Sequence, residues 1–422
     1  MARQTLFQKS LIGIQTAAGT AVQALKLLPL SVVELQPQAE FSEVRVPGKR
    51  FHSSVNVIKE STVGNVSGQL SYNDEVYWLS MFMDYAAPVT ADSVSTWTFE
   101  DDLACANVSK YATLFHGENC ERAERAKDAI ASGMTWTFDR TQATKSYNLL
   151  AAPFEDGVSQ LSLAITGSPT GGTFTITYNT HATSGIAYNA SAADVKAALV
   201  ALADFDASNI EVSGGALPGT AVTLTLLGLE AIQAADFSLN SASLTGGTTP
   251  TAAITAPSTS EIAVQQILPQ EVSAYMATEQ SGLDSATALA RNTSVVLTYT
   301  GKRVPFYALN AANGNGYKEA LEAAADATVS ITIAKDAEGA DFLEAMRDGD
   351  IMFMRVKALG GVIGATATQH EMSMDLAFMV NSAPSDGDTE GLMVSTYGGR
   401  IVHDATWGKG ISITFKNGVA AL

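Results

Sequence analysis

The sequence predicts a mainly β fold of the α+β type, in which a sheet-and-helix body is interrupted by one smaller module. Short runs of β-branched and aromatic residues, separated by glycine and proline, recur along most of the 422 residues. Only 16% of the residues are charged, and Ala, Gly, Ser and Thr are abundant, a composition typical of β-rich proteins with many turns. The composition changes near Val158, since residues 158–257 contain Lys196 as their only lysine.

The body is organised around residues 53–84. The valine-rich run 55–70 predicts two short strands or one long bent strand. Asn73 or Asp74 can then cap a helix. The apolar residues of this helix are Val76, Trp78, Leu79, Phe82 and Met83. We expect Trp78, Leu79 and Phe82 to cover one face of the sheet.

The rest of the first 157 residues contains further strand patterns. Residues 12–20 are small and uncapped, and we interpret them as an arm or loop that packs on a neighbouring molecule rather than on its own core. The runs Ser95–Phe99 and Met134–Phe138 share T-W-T-F, and strict alternation predicts tryptophans on one face and threonines on the other. Residues 104–115 are compatible with a strand, and residues 118–126 predict a turn or a helix.

The module at residues 158–257 has its own set of elements. Ser191 caps a predicted helix with Asp194 in its first turn. The predicted strands are Leu161–Ile165, Gly171–Tyr178, Gly185–Tyr188, Asn209–Val212 and Ala221–Leu227. Residues 245–257 predict a polar linker. Because the sheet-and-helix pattern resumes afterwards, we interpret the module as an insertion with its two ends close together.

The C-terminal part completes the body. Its predicted helices are Tyr317–Ala325 and Asp341–Arg347, the second stopped by Gly349. Its predicted strands are Ile262–Leu268, Glu271–Met276, Ser294–Thr300, Arg303–Leu309, Val329–Ile333, Ile351–Lys357, Met372–Val380 and Ile411–Phe415. The predicted division is therefore a body at 1–157 and 258–422 with an inserted α+β or β-sandwich-like module at 158–257.

The sequence predicts no catalytic, cofactor-binding or metal-binding residues, and hence no enzyme and no cofactor. The histidines His52, His116, His181, His370 and His403 are scattered along the chain. His403 and Asp404 are adjacent, but neighbours on a strand point to opposite faces, which disfavours a catalytic dyad.

Three polar segments resemble ligand sites only partly. Residues 310–316 lack the lysine of a phosphate-binding loop, and we interpret them as a mobile tip. Residues 385–390 lack the bidentate glutamate of a calcium loop, which favours a solvated hairpin turn. Residues 100–102 are acidic, and we expect a charged face rather than a metal site.

The formal charge of -18 disfavours nucleic-acid binding, because an acidic surface repels phosphate. An acidic wall could still let DNA pass without adhering to it. Cys105 and Cys120 could form a bridge, but two free thiols are favoured since a chain of this size needs no disulfide. No signal-peptide pattern and no long apolar run occurs, so we expect a protein made in the cytosol.

Several motifs together resemble the major tail tube proteins of siphophages. They are the arm Gly13–Thr20, Y-N-D-E-V-Y-W-L at Tyr72–Leu79, G-D-I-M-F-M-R-V at Gly349–Val356, M-S-M-D-L-A-F at Met372–Phe378 and the ending Trp407–Asn417. The resemblance covers roughly residues 10–157 and 260–418. Residues 158–257 separately resemble a small decoration domain of phage structural proteins.

The resemblance implies two packed antiparallel sheets flanked by a helix, the tail-tube fold. Six copies would close into a ring around a β-barrel, and the rings would stack into a non-contractile tube that conducts DNA through an acidic lumen during ejection. The arm and the loop around His52 would supply ring-to-ring contacts, and the insertion would project outward. The implied partners are other copies, the tape measure, the tail terminator and the distal tail protein. The implied location is the virion, after assembly in the host cytoplasm.

Two other classes of function remain open from the residues. The Thr/Ser/Gly-rich module favours a surface-binding adhesin or tail-fibre-like protein, although the sequence shows neither a signal peptide nor a trimeric repeat. An enzyme of unrecognised type is the third alternative.

Overall fold

The computed structural model shows a mainly β protein, with 55% of residues in strands and 9% in helices. It describes residues 9–101, 110–117, 123–228, 232–309 and 314–422. The mainly β class predicted from the sequence is confirmed.

The N-terminal part contains one short helix, α1 (Glu75–Ser80), among strands. These strands are β1 (Lys9–Gln15), β2 (Lys26–Leu27), β3 (Ser31–Val44), β4 (Ser54–Gln69), β5 (Asp84–Tyr85), β6 (Val89–Ala91), β7 (Val94–Glu100), β8 (Tyr111–Gly117), β9 (Ala123–Asp139) and β10 (Ala143–Ala151). The predicted run 55–70 is thus one long strand, β4.

The middle part contains helix α2 (Ala192–Val200) and a 3₁₀ turn at Ala234–Asp236. Its strands are β11 (Glu155–Thr166), β12 (Gly171–Tyr178), β13 (His181–Ala182), β14 (Ile186–Ala187), β15 (Ile210–Gly214), β16 (Val222–Leu226), β17 (Phe237–Asn240), β18 (Leu244–Thr245) and β19 (Thr251–Thr255).

The C-terminal part contains helix α3 (Ala337–Asp348) and 3₁₀ turns at Pro269–Glu271 and Gln280–Asp284. Its strands are β20 (Ser260–Glu261), β21 (Val272–Ala277), β22 (Asn292–Thr300), β23 (Arg303–Phe306), β24 (Glu319–Glu322), β25 (Asp326–Ala334), β26 (Met352–Val362), β27 (Gln369–Val380), β28 (Ser385–Thr389), β29 (Leu392–Ile401) and β30 (Ile411–Asn417). Gly349 ends α3 with a φ of +72°, as predicted from its position.

Two antiparallel sheets enclose the main core. The first sheet has the order β3-β4-β10-β9-β22-β25-β29-β28. The second sheet has the order β21-β26-β27-β30-β7, and β27 also pairs with the end of β29. Trp136 of the first sheet meets Phe415 of the second edge to face, with ring centroids 6.2 Å apart. The inner faces of both sheets contribute to a single hydrophobic cluster.

The two T-W-T-F segments lie in opposite sheets. Trp97 in the second sheet and Trp136 in the first are both buried, while the flanking threonines are partly exposed. The predicted alternation is therefore confirmed, and each segment points its tryptophan into the shared core.

The prediction that residues 12–20 form an arm on a neighbouring molecule is wrong for the first of them. Residues 9–15 form β1, which pairs along its whole length with β8, and Ile12 is fully buried in the main core. Pairing with β8 satisfies the backbone hydrogen bonds that an isolated arm would leave to a neighbour.

Helix α1 is buried on all sides, and Trp78, Leu79 and Phe82 are inaccessible to solvent, as predicted. Asp74 occupies the cap position, but its side chain makes no capping bond to the helix backbone. Instead the Ser71 hydroxyl accepts hydrogen bonds from the backbone N–H groups of Asn73 and Asp74. The predicted position of the cap is therefore correct, but the Ser71 hydroxyl, rather than the side chain of Asn73 or Asp74, accepts the backbone hydrogen bonds.

A buried ion pair attaches α1 to the first sheet. Lys145 Nζ on β10 donates to Glu75 Oε1 at 2.6 Å, and both side chains are fully buried. Tyr147 donates its hydroxyl to the other Glu75 oxygen at 2.8 Å, and Trp136 Nε1 donates to the Tyr147 hydroxyl at 3.1 Å. Burial raises the pKa of the Glu75 carboxyl above its ordinary value, and Lys145 opposes that shift.

Residues 161–254 surround a second hydrophobic cluster, which includes Phe174 and Leu224. Ser191 and Asp194 form the capping box of α2, since each side chain bonds the other residue's backbone N–H. The first and last strands of this segment, β11 and β19, are antiparallel neighbours, so its two ends lie close together as expected.

Strands lie at or near both predicted borders of this segment. Val158 lies inside the continuous strand β11, whose start pairs with β9 and whose remainder pairs with β16 and β19. Part of the predicted linker 245–257 is strand β19, because Ala252 and Ile254 alternate inward into the second cluster. The division of the chain into a body and an inserted domain stays a prediction.

Ion pairs join β9 to this segment. Arg125 on β9 is almost fully buried and contacts Glu155 Oε2 at 2.5 Å and Glu211 Oε2 at 2.6 Å. Lys127 contacts Glu155 Oε1 at 2.8 Å. Burial disfavours the Glu211 carboxylate, but Arg125 and Lys127 more than offset this and hold its pKa below the ordinary value.

Three further predicted elements are wrong. Residues 317–325 contain strand β24 rather than a helix, because pairing with β23 places Ala320 in a small apolar cluster. Residues 262–268 form no strand, although Ile262 and Ile267 are buried in the main core. Residues 123–126 belong to β9, where pairing with β8 overrides the charged composition; residues 118–122 lie outside the described part.

Replacing Lys145 by Met should strip the buried Glu75 carboxyl of its cation. We expect the free energy of unfolding to fall by about 3–5 kcal/mol, as for other buried pairs that lose one partner. Chemical denaturation at neutral pH measures the change. Lys59→Met removes an exposed pair with Glu40 and should have little effect. Equal losses in the two variants would contradict the importance that we assign to burial.

The Glu211→Gln variant tests the ion pairs on β9 through their pH dependence. Because the folded state lowers the pKa of Glu211, its carboxylate stabilises the fold above the ordinary value of 4.5, and this contribution is lost as the pH falls through the folded-state pKa. Denaturation at pH 7 and at successively lower pH should therefore show the gap between native protein and variant shrinking with acidification. A gap that widens on acidification would refute this assignment.

Candidate interaction surface

The hairpin of β3 and β4 extends beyond the sheet that carries it. At Lys59 and Glu60 its base contacts the rest of the fold: the Lys59 ammonium lies 5.3 Å from the centre of the Tyr307 ring, and the Glu60 N–H donates to the Asn315 carbonyl. Lys59 also pairs with Glu40 across the hairpin at 2.8 Å. Past a bulge at Glu40 and Phe41, residues 41–58 are mostly exposed on both faces. No other described part of the chain covers them.

The extended part of the hairpin carries apolar side chains in solvent. Phe51 at its tip is 78% exposed and Phe41 is 59% exposed. The other exposed apolar residues of this part are Val44, Val46, Val55 and Ile58. His52 pairs with Glu43 at 2.9 Å across the tip. An exposed apolar surface on a protruding hairpin is typical of a protein-protein contact.

The first sheet also has two open edges. Within the described ranges, β3 pairs only with β4, and β28 only with β29. Each edge therefore presents unpaired backbone N–H and C=O groups that can pair with a strand from another chain.

The outer face of the first sheet consists largely of hydroxyl groups, and we call it the hydroxyl face. Cross-strand register places its members in rows, since paired residues share a face. The rows are Ser67-Ser146-Thr135-Thr298-Thr328, Thr144-Thr137-Val296-Ser330-Gly398 and Ser294-Thr332-Thr396-Ser385. Most of these residues are partly exposed, and the Thr332 and Thr396 hydroxyls lie 2.9 Å apart.

Charged groups lie only at the margins of the hydroxyl face. Arg400 ends the first row and is paired with Asp326 at 3.0 Å. Asp139 lies beside Ser294, where its carboxylate accepts hydrogen bonds from the turn at Thr141. Between these ends the three rows contain no lysine and no arginine.

The outer face of the second sheet has a different chemistry, and we call it the ionic face. Its ion pairs are Arg355 with Asp375 at 2.7 Å, Lys357 and Lys416 with Glu371 at 3.2 and 2.9 Å, and Lys409 with Glu100 at 2.5 Å. Its threonines, among them Thr98 and Thr414, are paired neighbours between these charges. The outer face of the second sheet therefore carries paired charges, whereas the outer face of the first sheet carries mainly hydroxyl groups.

The histidines remain apart in space. His181 pairs with Asp204 at 2.7 Å, and His370 packs against the Tyr72 ring. His403 and Asp404 lie near an isolated bridge, where Asp404 accepts from the Trp407 N–H. Across the described ranges no cluster of three His, Cys, Asp or Glu residues suits a metal ion. Cys105 and Cys120 lie outside those ranges.

The described members of the acidic segment 100–102, which we expected to form a charged face, are both paired. Glu100 accepts hydrogen bonds from Lys409 and Ser412, while Asp101 accepts from Tyr299 and from Lys302. Burial lowers the pKa of Lys302, and Asp101 opposes this shift. Asp102 lies outside the described residues.

The two other ligand-like segments have structural roles where the structure describes them. Residues 385–389 form the edge strand β28, and the turn to β29 passes through Glu390 and Gly391, both with positive φ. The calcium-like segment is therefore a hairpin, but its first residues are strand rather than turn. Of residues 310–316 only 314–316 are described, and Gly316 bridges to Glu60 at the hairpin base.

Comparison with known proteins identified no relative: no family model matches the chain, and no curated protein matches it. Among the described helices, none combines the length and apolar character required to cross a membrane.

Proposed function

We propose that this chain is a structural subunit of a long non-contractile phage tail tube, in which six-membered rings stack around a channel for DNA. The protruding apolar hairpin 41–58 carries the proposal. In a single molecule its apolar side chains are largely exposed and no other described part of the chain covers them, whereas a stacked ring would bury them. The two packed sheets and the buried helix α1 are compatible with the tail-tube fold to which the sequence motifs pointed.

The open edges of the first sheet support ring formation. Pairing of β3 in one copy with β28 in the next would satisfy both edges and join the first sheets of a ring into one barrel. Head-to-tail stacking of such rings is a heterologous contact that does not close, so it produces a tube. In this proposal residues 158–257 form an outward decoration, and the tape measure, terminator and distal tail proteins complete the tail.

Negative-stain electron microscopy of the purified chain over a concentration series tests the assembly. We expect rings or tubes of uniform width with a central channel. Monomers or trimers that persist at high concentration, also after addition of preformed tube fragments as seeds, would contradict the proposal.

Phe41→Glu and Phe51→Glu in one variant should prevent stacking while leaving the subunit folded. Both side chains are exposed, so the thermal unfolding midpoint should hardly change, but a buried carboxylate at a ring-to-ring contact is strongly unfavourable. We expect isolated rings or single subunits by microscopy. Val89→Glu, at a residue 73% exposed on β6, is the matched control and should form normal tubes. Normal tubes from the double variant would show that the hairpin is not the stacking contact.

A further inference from the structure

We infer that the hydroxyl face lines the channel and offers passing duplex DNA a neutral wall. This inference rests on the proposed tube and identifies the surface that DNA would meet. It refines the acidic lumen expected from the net charge, since the rows of this face carry charge only at their ends, at Arg400 and Asp139.

The edge strands indicate which sheet forms the barrel. The 14-residue strand β3 and the strand β28 are the edges of the first sheet, so edge pairing between copies continues that sheet around the ring. Among the described strands the second sheet ends in shorter ones: β6 has three residues, and β21 is also bridged to Ala288. One side of it is the apolar core shared with the second sheet. The hydroxyl face is the other side, and it is one of two surfaces in the sandwich that could face the axis.

The charged groups of the two outer faces indicate which face suits a channel for DNA. The ionic face presents four partly exposed cations, Arg355, Lys357, Lys409 and Lys416. Each could exchange its carboxylate for a DNA phosphate and release counterions, which is the main source of non-specific affinity for DNA. The rows of the hydroxyl face offer one such cation, Arg400, at the end of the first row.

The hydroxyl groups themselves bind phosphate only weakly. A hydroxyl that binds a phosphate oxygen gives up a hydrogen bond to water in exchange, so its net gain is smaller than that of a cation that pairs with phosphate and releases counterions. The gain is similar at every position of a uniform row, so no position holds the DNA. Unlike an acidic wall, the face also adds no repulsion that would oppose entry of the duplex. These properties suit a polyanion in transit.

Cysteine labelling in assembled tubes tests which face lines the channel. Thr298→Cys on the hydroxyl face and Thr414→Cys on the ionic face are matched, because both are partly exposed threonines within strands. Both are made in a chain with Cys105→Ser and Cys120→Ser. A small maleimide should label both variants as free subunits and as tubes. A maleimide carried by a bulky protein should label both free subunits, but on assembly the rate at Thr298→Cys should fall by about tenfold or more, since thiol reactivity requires access.

The labelling outcomes test the channel-lining face separately from the formation of tubes. Exclusion of the bulky reagent at Thr298→Cys but not at Thr414→Cys supports the inference. The reverse pattern, or equal access at both positions, overturns it while leaving the tube intact. A control chain with only Cys105→Ser and Cys120→Ser that forms no ring or tube overturns the proposed function as well.

The amount of duplex DNA that tubes retain measures whether the channel wall is neutral. Tubes of Thr135→Lys should retain a short duplex DNA at low salt about tenfold more than native tubes do, and the retention should decline steeply as salt is added. Native tubes that retain the duplex as strongly as the lysine variant would overturn the inference, because the wall would then already bind phosphate.

Discussion

The fold depends on holding a polar helix start inside an apolar core. Helix α1 lies where the two sheets enclose their common cluster, so Glu75 at its first turn has no access to water. The carboxylate is tolerated because Lys145 and Tyr147 from one strand reach it together, and Trp136 fixes the Tyr147 hydroxyl. Desolvation of both charges makes such a pair a weak net source of stability but a strict condition on geometry. Strand β10 must therefore place Lys145 and Tyr147 against Glu75 of helix α1 for the core to form.

Alternation along the strands then separates three environments. Each sheet directs its large aromatic and aliphatic side chains inward, which leaves every second residue to define an outer face. In the first sheet these residues are mostly serine and threonine, and in the second they are charged residues in ion pairs. A protein that needed only solubility would have no requirement for two outer faces of such different chemistry.

The hairpin and the sheet edges are costly features for a single molecule. Exposed phenylalanines and unpaired edge strands promote association, and proteins that remain monomeric usually cover or charge them. Here the hairpin base is attached through Glu60 to Asn315 and Gly316, whereas its apolar tip is left open. A partner that covers the tip and an edge-to-edge contact between copies would remove both liabilities at once.

The sequence alone determined the mainly β class, the position of α1, the helix cap at Ser191 and the inward tryptophans of the T-W-T-F segments, because these follow from local periodicity and capping chemistry. Net charge and the scattered histidines were likewise visible in the sequence. Long-range pairing decided the rest: residues 317–325 became a strand by pairing with β23, β1 joined β8 instead of forming an arm, and Glu75 found Lys145 seventy positions away. The hydroxyl face also needed the structure, since Thr135, Thr298 and Thr328 become neighbours only through the register of three strands distant in sequence. Local patterns specify which way a side chain points, but only tertiary pairing specifies what lies beside it.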